Sequence, residues 1–534
     1  MHIAKKSAHG SVTLFGGNLA ATLIAAVTSI VVARLLGPPS FGVYSLSLAA
    51  PGLLQIFTDL GTRTAVTRYV AIHLSRGEAD EARRYAQSSV LFAGLTGSLL
   101  TVMSYLTSGW VASTLFQRAS LQPYIALASV GIMGYSLLLV GTAVATGRNA
   151  MGRASLLNVS QAAFKLVISL TLIVVGFGVG GAVLGHATSY TLAGGVAAAL
   201  YVTTVRATSE SLNEVADDAK EMVRFGFQPF VGSVLVALSS FYVSLLLAAT
   251  ANNSVIGDYQ AAANLIVPAT LLASAMATAL YPAFSSLHGI SADTGSALRI
   301  SIRYVSYLVI PVLFFISASA GELMRLVYGE SYSSGTHYLV LLPLAQLPLL
   351  LGTSVVPGFL SAIGRTRLTM FATAFGALGL FVTAPLFALG MGLGVVGLIY
   401  AQFVSNLVLA AVGLFLVRRY GLGNIGAQSA ASILIASALS FVACWALPGF
   451  GPSFEGAILS FVPKLGVFAL TYLTLAPLLG AVGIEDVDRI YESLSEVALL
   501  GAVLLPFSKF ERSMASFVRR RSRPRRTARS EGSS

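Results

Sequence analysis

Four polar residues recur at helical spacing in an otherwise apolar stretch: Asn158, Gln161, Lys165 and Ser169, at intervals of 3, 4 and 4. On a helix they share one face. A lysine among amide and hydroxyl groups is the chemistry of holding an anion. The ammonium supplies charge, and the amide supplies directed N–H donors. Such a stripe can also bond neighbouring helices to each other. The lysine favours a cavity lining, because a charge buried alone in an apolar medium is costly. The same reasoning selects Asp59 and Arg63, which are i,i+4 and can pair on one helix face. Their pairing reads as self-neutralisation near the inner surface or as a gate on a substrate path. His186, Ser189 and Tyr190 form a similar face on the next apolar run, and Arg303 stands at the inner edge of a later one. The residues expected to face a cavity are therefore Lys165, Gln161, Asn158, Arg63, Asp59, His186 and Arg303. Asp258, at the expected outer edge of a helix, is the candidate for coupling to an ion. Lys464 lies within a run and is expected to snorkel to headgroups.

These residues need elements to hold them, and composition says what those are. The chain has 534 residues, of which 55% are hydrophobic and only 10% charged, with a mean hydropathy of +0.80. Soluble domains carry roughly 25% charged residues. The chain is an integral membrane protein of many helices, since one crossing needs about 20 apolar residues. Continuous apolar runs, rather than alternating ones, exclude a barrel. Fourteen runs lie between about residues 11 and 482, which makes an all-α polytopic protein of about 14 transmembrane helices. No signal peptide is evident at the start, where the first run is followed by Arg34. The single cysteine, Cys444, excludes an intramolecular disulfide and a cysteine-based metal site. No loop between runs is large enough to house a catalytic domain, so an enzyme is not expected, nor is a cofactor. The net charge of +12 is not read as nucleic-acid binding, because the basic residues sit between apolar runs and in the tail.

With the amino terminus inside, 27 of the 33 Lys and Arg fall on inner segments, and only Arg34, Arg118 and Arg325 fall on outer loops. That asymmetry places both termini in the cytoplasm of a multi-pass protein of the cell membrane. After the last run, 484–511 reads as an interfacial amphipathic helix. Residues 512–534 read as a basic, disordered cytoplasmic tail near anionic headgroups.

The chain also repeats. Gly42-Val43-Tyr44 matches Gly257-Asp258-Tyr259, Ala145-Thr146-Gly147-Arg148 matches Ala362-Ile363-Gly364-Arg365, and Gly178-Val179-Gly180 matches Gly392-Leu393-Gly394. The offsets are 215, 217 and 214. They divide the chain into an N-lobe at 1–203 and a C-lobe at 225–417, each of six helices, joined by a cytoplasmic linker at 204–224. Two further helices follow within 418–483. Six is even, so the halves form a parallel pseudo-repeat, an arrangement that places a site between halves in some transporters.

With these residues in hand, the chain resembles the polysaccharide-flippase branch of the multidrug/oligosaccharidyl-lipid/polysaccharide exporter superfamily. The carrying segments are VVARLLGPPSFGVYSL, TDLGTRTAVTRYVA, IGDYQAAANLIVPATLLASAMATALYPAFSSL, and GFLSAIGRTRLTMF followed by GLGVVGLIYA. The resemblance implies a central cavity, alternating access, and a polyprenyl-(pyro)phosphate-linked oligosaccharide moved from the inner to the outer leaflet for polysaccharide or glycan biosynthesis. Its partners would be that lipid-linked oligosaccharide, membrane lipids, and the polymerase or glycosyltransferases of the pathway. A coupling cation, Na+ or H+, is left open. The alternative is a cation-coupled exporter of small molecules in the same superfamily, which would favour buried acidic residues over Lys165.

Overall fold

Hydrocarbon offers backbone N–H and C=O groups no partner, so apolar runs that cross it must satisfy themselves as helices. In the computed structural model, which describes residues 2–204, 212–286, 291–420, 427–451 and 453–482, they do so throughout. No strand occurs among the described residues. The helices are α1 (His2–Phe57), α2 (Thr62–Ser75), α3 (Ala79–Trp110), α4 (Gln122–Ser129), α5 (Gly131–Gly147), α6 (Met151–Leu172), α7 (Gly178–Thr204), α8 (Leu212–Thr250) and α9 (Asn253–Asn264). There follow α10 (Val267–Ser286), α11 (Ser291–Ala318), α12 (Ala320–Tyr328), α13 (Thr336–Leu341), α14 (Val356–Ala362), α15 (Thr366–Pro385), α16 (Gly394–Arg419), α17 (Ala427–Trp445) and α18 (Phe454–Leu478). The expected interfacial helix at 484–511 and the tail at 512–534 lie outside the described residues.

Among the described residues, twelve segments are long and apolar enough to cross a membrane. Two of them, Gly16–Phe57 with 42 residues and Met151–Tyr201 with 51, are long enough at about 1.5 Å per residue to cross a ~30 Å core twice. Each contains a break where it could turn. α1 loses helical geometry at Gly37, whose φ is 73°. α6 ends in a π-turn with Gly176 at φ 105°, and Gly178 follows at φ 51°.

The chain forms two compact units. The first comprises residues 1–265, 327–339 and 365–409. Within it, α1 and α9 approach through glycine. A Cβ on Gly42 would stand closer than 3 Å to the Asn253 carbonyl, and one on Gly257 closer than 3 Å to that of Pro38. The two members of the first repeat pair therefore lie against each other. Asn264 adds a hydrogen bond from Nδ2 to Ser29 Oγ at 3.0 Å. Ala33 and Ala248, also 215 residues apart, have carbonyls capped in parallel fashion. Tyr332 Oη donates to the Ala33 oxygen at 2.7 Å. Arg118 Nη2 donates to the Ala248 oxygen at 2.9 Å, and that guanidinium also reaches the Ala251 oxygen and Asn253 Oδ1.

Three local features depart from the sequence reading. The run 41–61 ends early: α1 stops at Phe57, and a turn through Leu60 (φ 43°) and Gly61 (φ 88°) starts the separate helix α2. Residues 212–224, read as linker, are the first turns of α8 and dock on α3. There Asp218 Oδ2 accepts from Ser88 Oγ at 2.8 Å and pairs with Arg84 Nε at 3.2 Å, while Tyr85 Oη donates to Glu221 Oε2 at 2.8 Å. The run 337–360 is not one helix. It is α13, a 3-10 stretch at Leu344–Leu351 and α14, because Pro343, Pro348 and Pro357 remove backbone donors and Gly352 turns left-handed at φ 90°.

The second unit comprises residues 266–326, 340–364 and 410–534. Here Lys464 does not snorkel. Its Nζ pairs with Glu322 Oε1 at 2.6 Å, both side chains being 11% exposed. Tyr472 Oη ties α18 to the Tyr307 carbonyl of α11 at 2.8 Å.

Candidate functional site

A cavity of the first unit has a volume of about 570 Å³. It is floored by the turn after α1 and walled by α1, α2, α5, α6 and α8. The turn decides what is offered to it. Asp59 Oδ1 accepts the N–H of Arg63 at 2.6 Å and the hydroxyl of Thr62 at 3.1 Å, which caps the otherwise bare first turn of α2. Asp59 and Arg63 are thus not two positions on one helix face, and the carboxylate's short contact is to the backbone of Arg63 rather than to its side chain. With its carboxylate turned to the helix end, Asp59 leaves the guanidinium of Arg63 on the cavity wall, where Arg68 joins it. Arg68 is held with its Cζ 4.6 Å from the Phe225 ring centroid.

The rest of the lining is uncharged. Asn158 lines the cavity and donates from Nδ2 to Asn18 Oδ1 at 2.9 Å. Gln55, Thr67, Tyr135, Thr142, Thr146 and Ser233 complete a wall of amides and hydroxyls. Thr67 Oγ1 is spent on the Arg63 carbonyl at 3.0 Å and that of Ala143 at 3.2 Å, and so ties α2 to α5. Phe230 meets Phe57 edge-on at 6.1 Å. Two guanidinium groups, one already engaged carboxylate and a hydrogen-bonding wall make a site for an anion that carries many hydroxyls.

Of the residues expected to face a cavity, Asp59, Arg63 and Asn158 are brought together here. Gln161, Lys165 and His186 are not in this wall. They continue from it along α6 and α7. Gln161 Nε2 donates to Ser189 Oγ at 3.0 Å. Tyr135, on the wall, meets Tyr190 edge-on at 5.4 Å, and Tyr190 meets His186 at 5.2 Å. His186 has a buried Nδ1 with no hydrogen-bond partner. Lys165 lies about 10 Å of helix rise beyond Asn158, with no hydrogen bond or ion pair among the described residues. The stripe is therefore a continuation of the cavity wall into the bundle rather than its centre.

Arg303 lines a cavity of the second unit instead. Asp258, expected at a solvated outer edge, is 5% exposed, and its Oδ1 has no hydrogen-bond partner. The cause is the glycine contact beside it: Gly257 presses α9 onto α1 and takes its neighbour inside. Sequence reasoning missed Arg68, Asn18, Gln55 and Tyr135 as lining. The signal for Arg68 was present in TRTAVTRYVA, where the two arginines are five residues apart with threonines between.

Comparison with known proteins bears on what such a cavity is for. The family model described as "Polysaccharide biosynthesis protein" matches residues 7–288, more than half of the chain. The chain belongs to the polysaccharide biosynthesis protein family. The match covers every element around the cavity. A relative of this family member is the "Probable low-salt glycan biosynthesis flippase Agl15" of Haloferax volcanii, 22% identical over 511 residues, with 93% of this chain and 99% of the relative covered. Among solved structures, the lipid II flippase MurJ in its inward closed conformation superposes with a TM-score of 0.69, at 14% identity over 88% of this chain and 98% of that one. An inward-facing multidrug resistance MATE family transporter gives 0.64, at 18% identity over 77% and 98%. The two structural likenesses show the fold of the family member alone: it is the fold of that flippase and of that transporter.

Proposed function

We propose that this protein is a flippase that carries a polyprenyl-(pyro)phosphate-linked oligosaccharide from the inner to the outer leaflet by alternating access. The observation that carries the reading is the net positive, hydroxyl- and amide-rich cavity around Arg63 and Arg68. A phosphate entering a low-dielectric interior loses its hydration, and the loss is offset only where fixed cations and donors replace the water. Arginine's fork matches phosphate oxygens in pairs. The sugars that follow need many weak hydrogen bonds, which Asn18, Gln55, Asn158, Thr142 and Tyr135 can exchange as the glycan moves. The name of the Haloferax volcanii relative supports the same reading.

Export of a cationic small molecule by a cation-coupled antiporter is the competing reading, and the MATE likeness is the observation behind it. Two arginines against one capped aspartate argue the other way. Reconstituted vesicles separate the two. The flippase reading expects the protein to translocate a labelled polyprenyl-pyrophosphate oligosaccharide and not a cationic dye; dye transport without sugar-lipid movement would reverse the assignment.

The proposal includes a multi-pass protein of the cell membrane with fourteen crossings, both termini cytoplasmic, and six-helix lobes at 1–203 and 225–417. In a Cys444→Ala background, single cysteines at Asn252 and Ser333 should react with an impermeant thiol reagent from outside intact cells. Cysteines at Gly77 and Asn149 should react only after permeabilisation. Outside labelling at Asn149 would put the open end of α5 and α6 on the wrong face and end the topology. Glycosyltransferases that build the sugar and a polymerase that consumes it are the expected neighbours in the pathway.

A further inference from the structure

The second unit holds a cavity of about 300 Å³ between α11 and α17 that has no part in the site described above. Arg299 and Arg303, one helical turn apart on α11, both line it. So does Ser306, whose hydroxyl is buried, with the residue 1% exposed, and has no hydrogen-bond partner. Ser429 faces it from α17, and no carboxylate lines it. The remaining wall is apolar, with Leu350 from the 3-10 stretch and Ile433 among it. Arg299 is braced by Ser296 Oγ at 3.2 Å, and Arg303 lies with its Cζ 5.6 Å from the Tyr304 ring centroid.

A buried hydroxyl with nothing to bond, beside two fixed guanidiniums, is a vacancy for acceptor oxygens. Both guanidiniums are planar forks suited to phosphate. Basic pockets between membrane helices on the cytoplasmic side are where anionic headgroups lodge, and Arg299 and Arg303 belong to the inner set of basic residues. We infer that α11 and α17 hold a second, phosphate-ester site that takes the headgroup of an anionic lipid. The two arginines and the hydroxyls of Ser306 and Ser429 bind the oxyanion, and Leu350 and Ile433 meet the start of the chain attached to it. The site shares no lining residue with the cavity of the first unit and does not rest on the flippase reading.

Native mass spectrometry of the purified full-length protein, titrated with dioleoyl phosphatidic acid, tests this. Dioleoylglycerol, which lacks the phosphate, is the control. Phosphatidic acid should bind at least about tenfold more tightly than dioleoylglycerol. Arg299→Ala/Arg303→Ala should erase that preference, while Arg299→Lys/Arg303→Lys should retain part of it. Should the alanine pair fail to fold, Ser306→Leu fills the cavity with both charges kept, and it too should erase the preference. Arg367→Gln, at an exposed arginine that lines neither cavity, should leave the preference unchanged. Displacement of the lipid by excess inorganic phosphate would show that the oxyanion alone suffices; no displacement would show that the chain is needed. A wild-type preference in the Arg299/Arg303 or Ser306 variants overturns the site, as does its loss in the Arg367→Gln variant.

Discussion

Arg63→Gln/Arg68→Gln should cut translocation of a lipid-linked sugar in vesicles by at least about 100-fold, with folded yield unchanged. The size follows from the number of bonds lost. A hydrogen bond to a charged group contributes roughly 1.5–3 kcal/mol, so two such groups removed from a dehydrated site give roughly 3–6 kcal/mol. Glutamine is shorter and keeps two of arginine's five donors, so it removes the charge and leaves a polar group in its place. The fold should tolerate it: both side chains face the cavity, and the turn that places them is held by the Arg63 backbone N–H and Asp59. Lys165 is the next cation along α6 and is expected to receive the phosphate as it moves inward. Lys165→Ala should cost about tenfold, less than the arginine pair, and Lys165→Arg should restore part of it. Wild-type flipping in the Arg63/Arg68 double variant would refute the cavity as the phosphate's seat. Full loss in Lys165→Ala with little in the arginine pair would move the seat into the bundle.

The second large effect is structural. Gly257→Val should abolish the monodisperse folded protein, where Gly232→Val, at a glycine with open space around its Cα, should not. The Cβ of any residue at 257 would lie closer than 3 Å to the Pro38 carbonyl. Backbone cannot move aside as a flexible side chain can. Overpacking in a filled core costs about 1–3 kcal/mol. Here the shift would also part α9 from α1, with the Asn264–Ser29 bond and the packing around Asp258, so a cost above that range is expected. Gly42→Val should behave the same way against Asn253. Size-exclusion profiles and thermal midpoints in detergent measure it; a Gly257→Val protein as stable as wild type would mean that the α1–α9 contact is dispensable.

Hydropathy carried the helix class, and the offset of 215 carried the glycine pair that proves to be in contact. What hydropathy cannot carry is where a run bends. The run 337–360 has the composition of a span, but its prolines and Gly352 divide it into short pieces. The turn at Leu60–Gly61 was invisible because Asp59 and Arg63 fit i,i+4 helical spacing equally well. The beginning of α8 read as linker because its acidic residues are polar in sequence, whereas in space Asp218 and Glu221 find Arg84, Ser88 and Tyr85, 130 to 136 positions away. Lys464 read as snorkelling for the same reason: Glu322 is 142 residues distant. At the candidate site, Arg63, Asp59 and Asn158 line one cavity, whereas Lys165 and Gln161 lie beyond its lining; a helical face is defined by spacing alone, and its depth is set by what packs over it.

The paired caps on Ala33 and Ala248 say something about ancestry. The Ala33 carbonyl lies just before the break in α1 at Gly37 and that of Ala248 near the end of α8, and each is closed by a side chain from far along the chain: Tyr332 for Ala33, Arg118 for Ala248. A half-length chain on its own would leave that oxygen without its cap, at a cost of about 1–3 kcal/mol. A duplication that joined two copies end to end would have turned a contact between separate molecules into one within a single chain, freeing each copy to diverge while the exchange of caps kept them married.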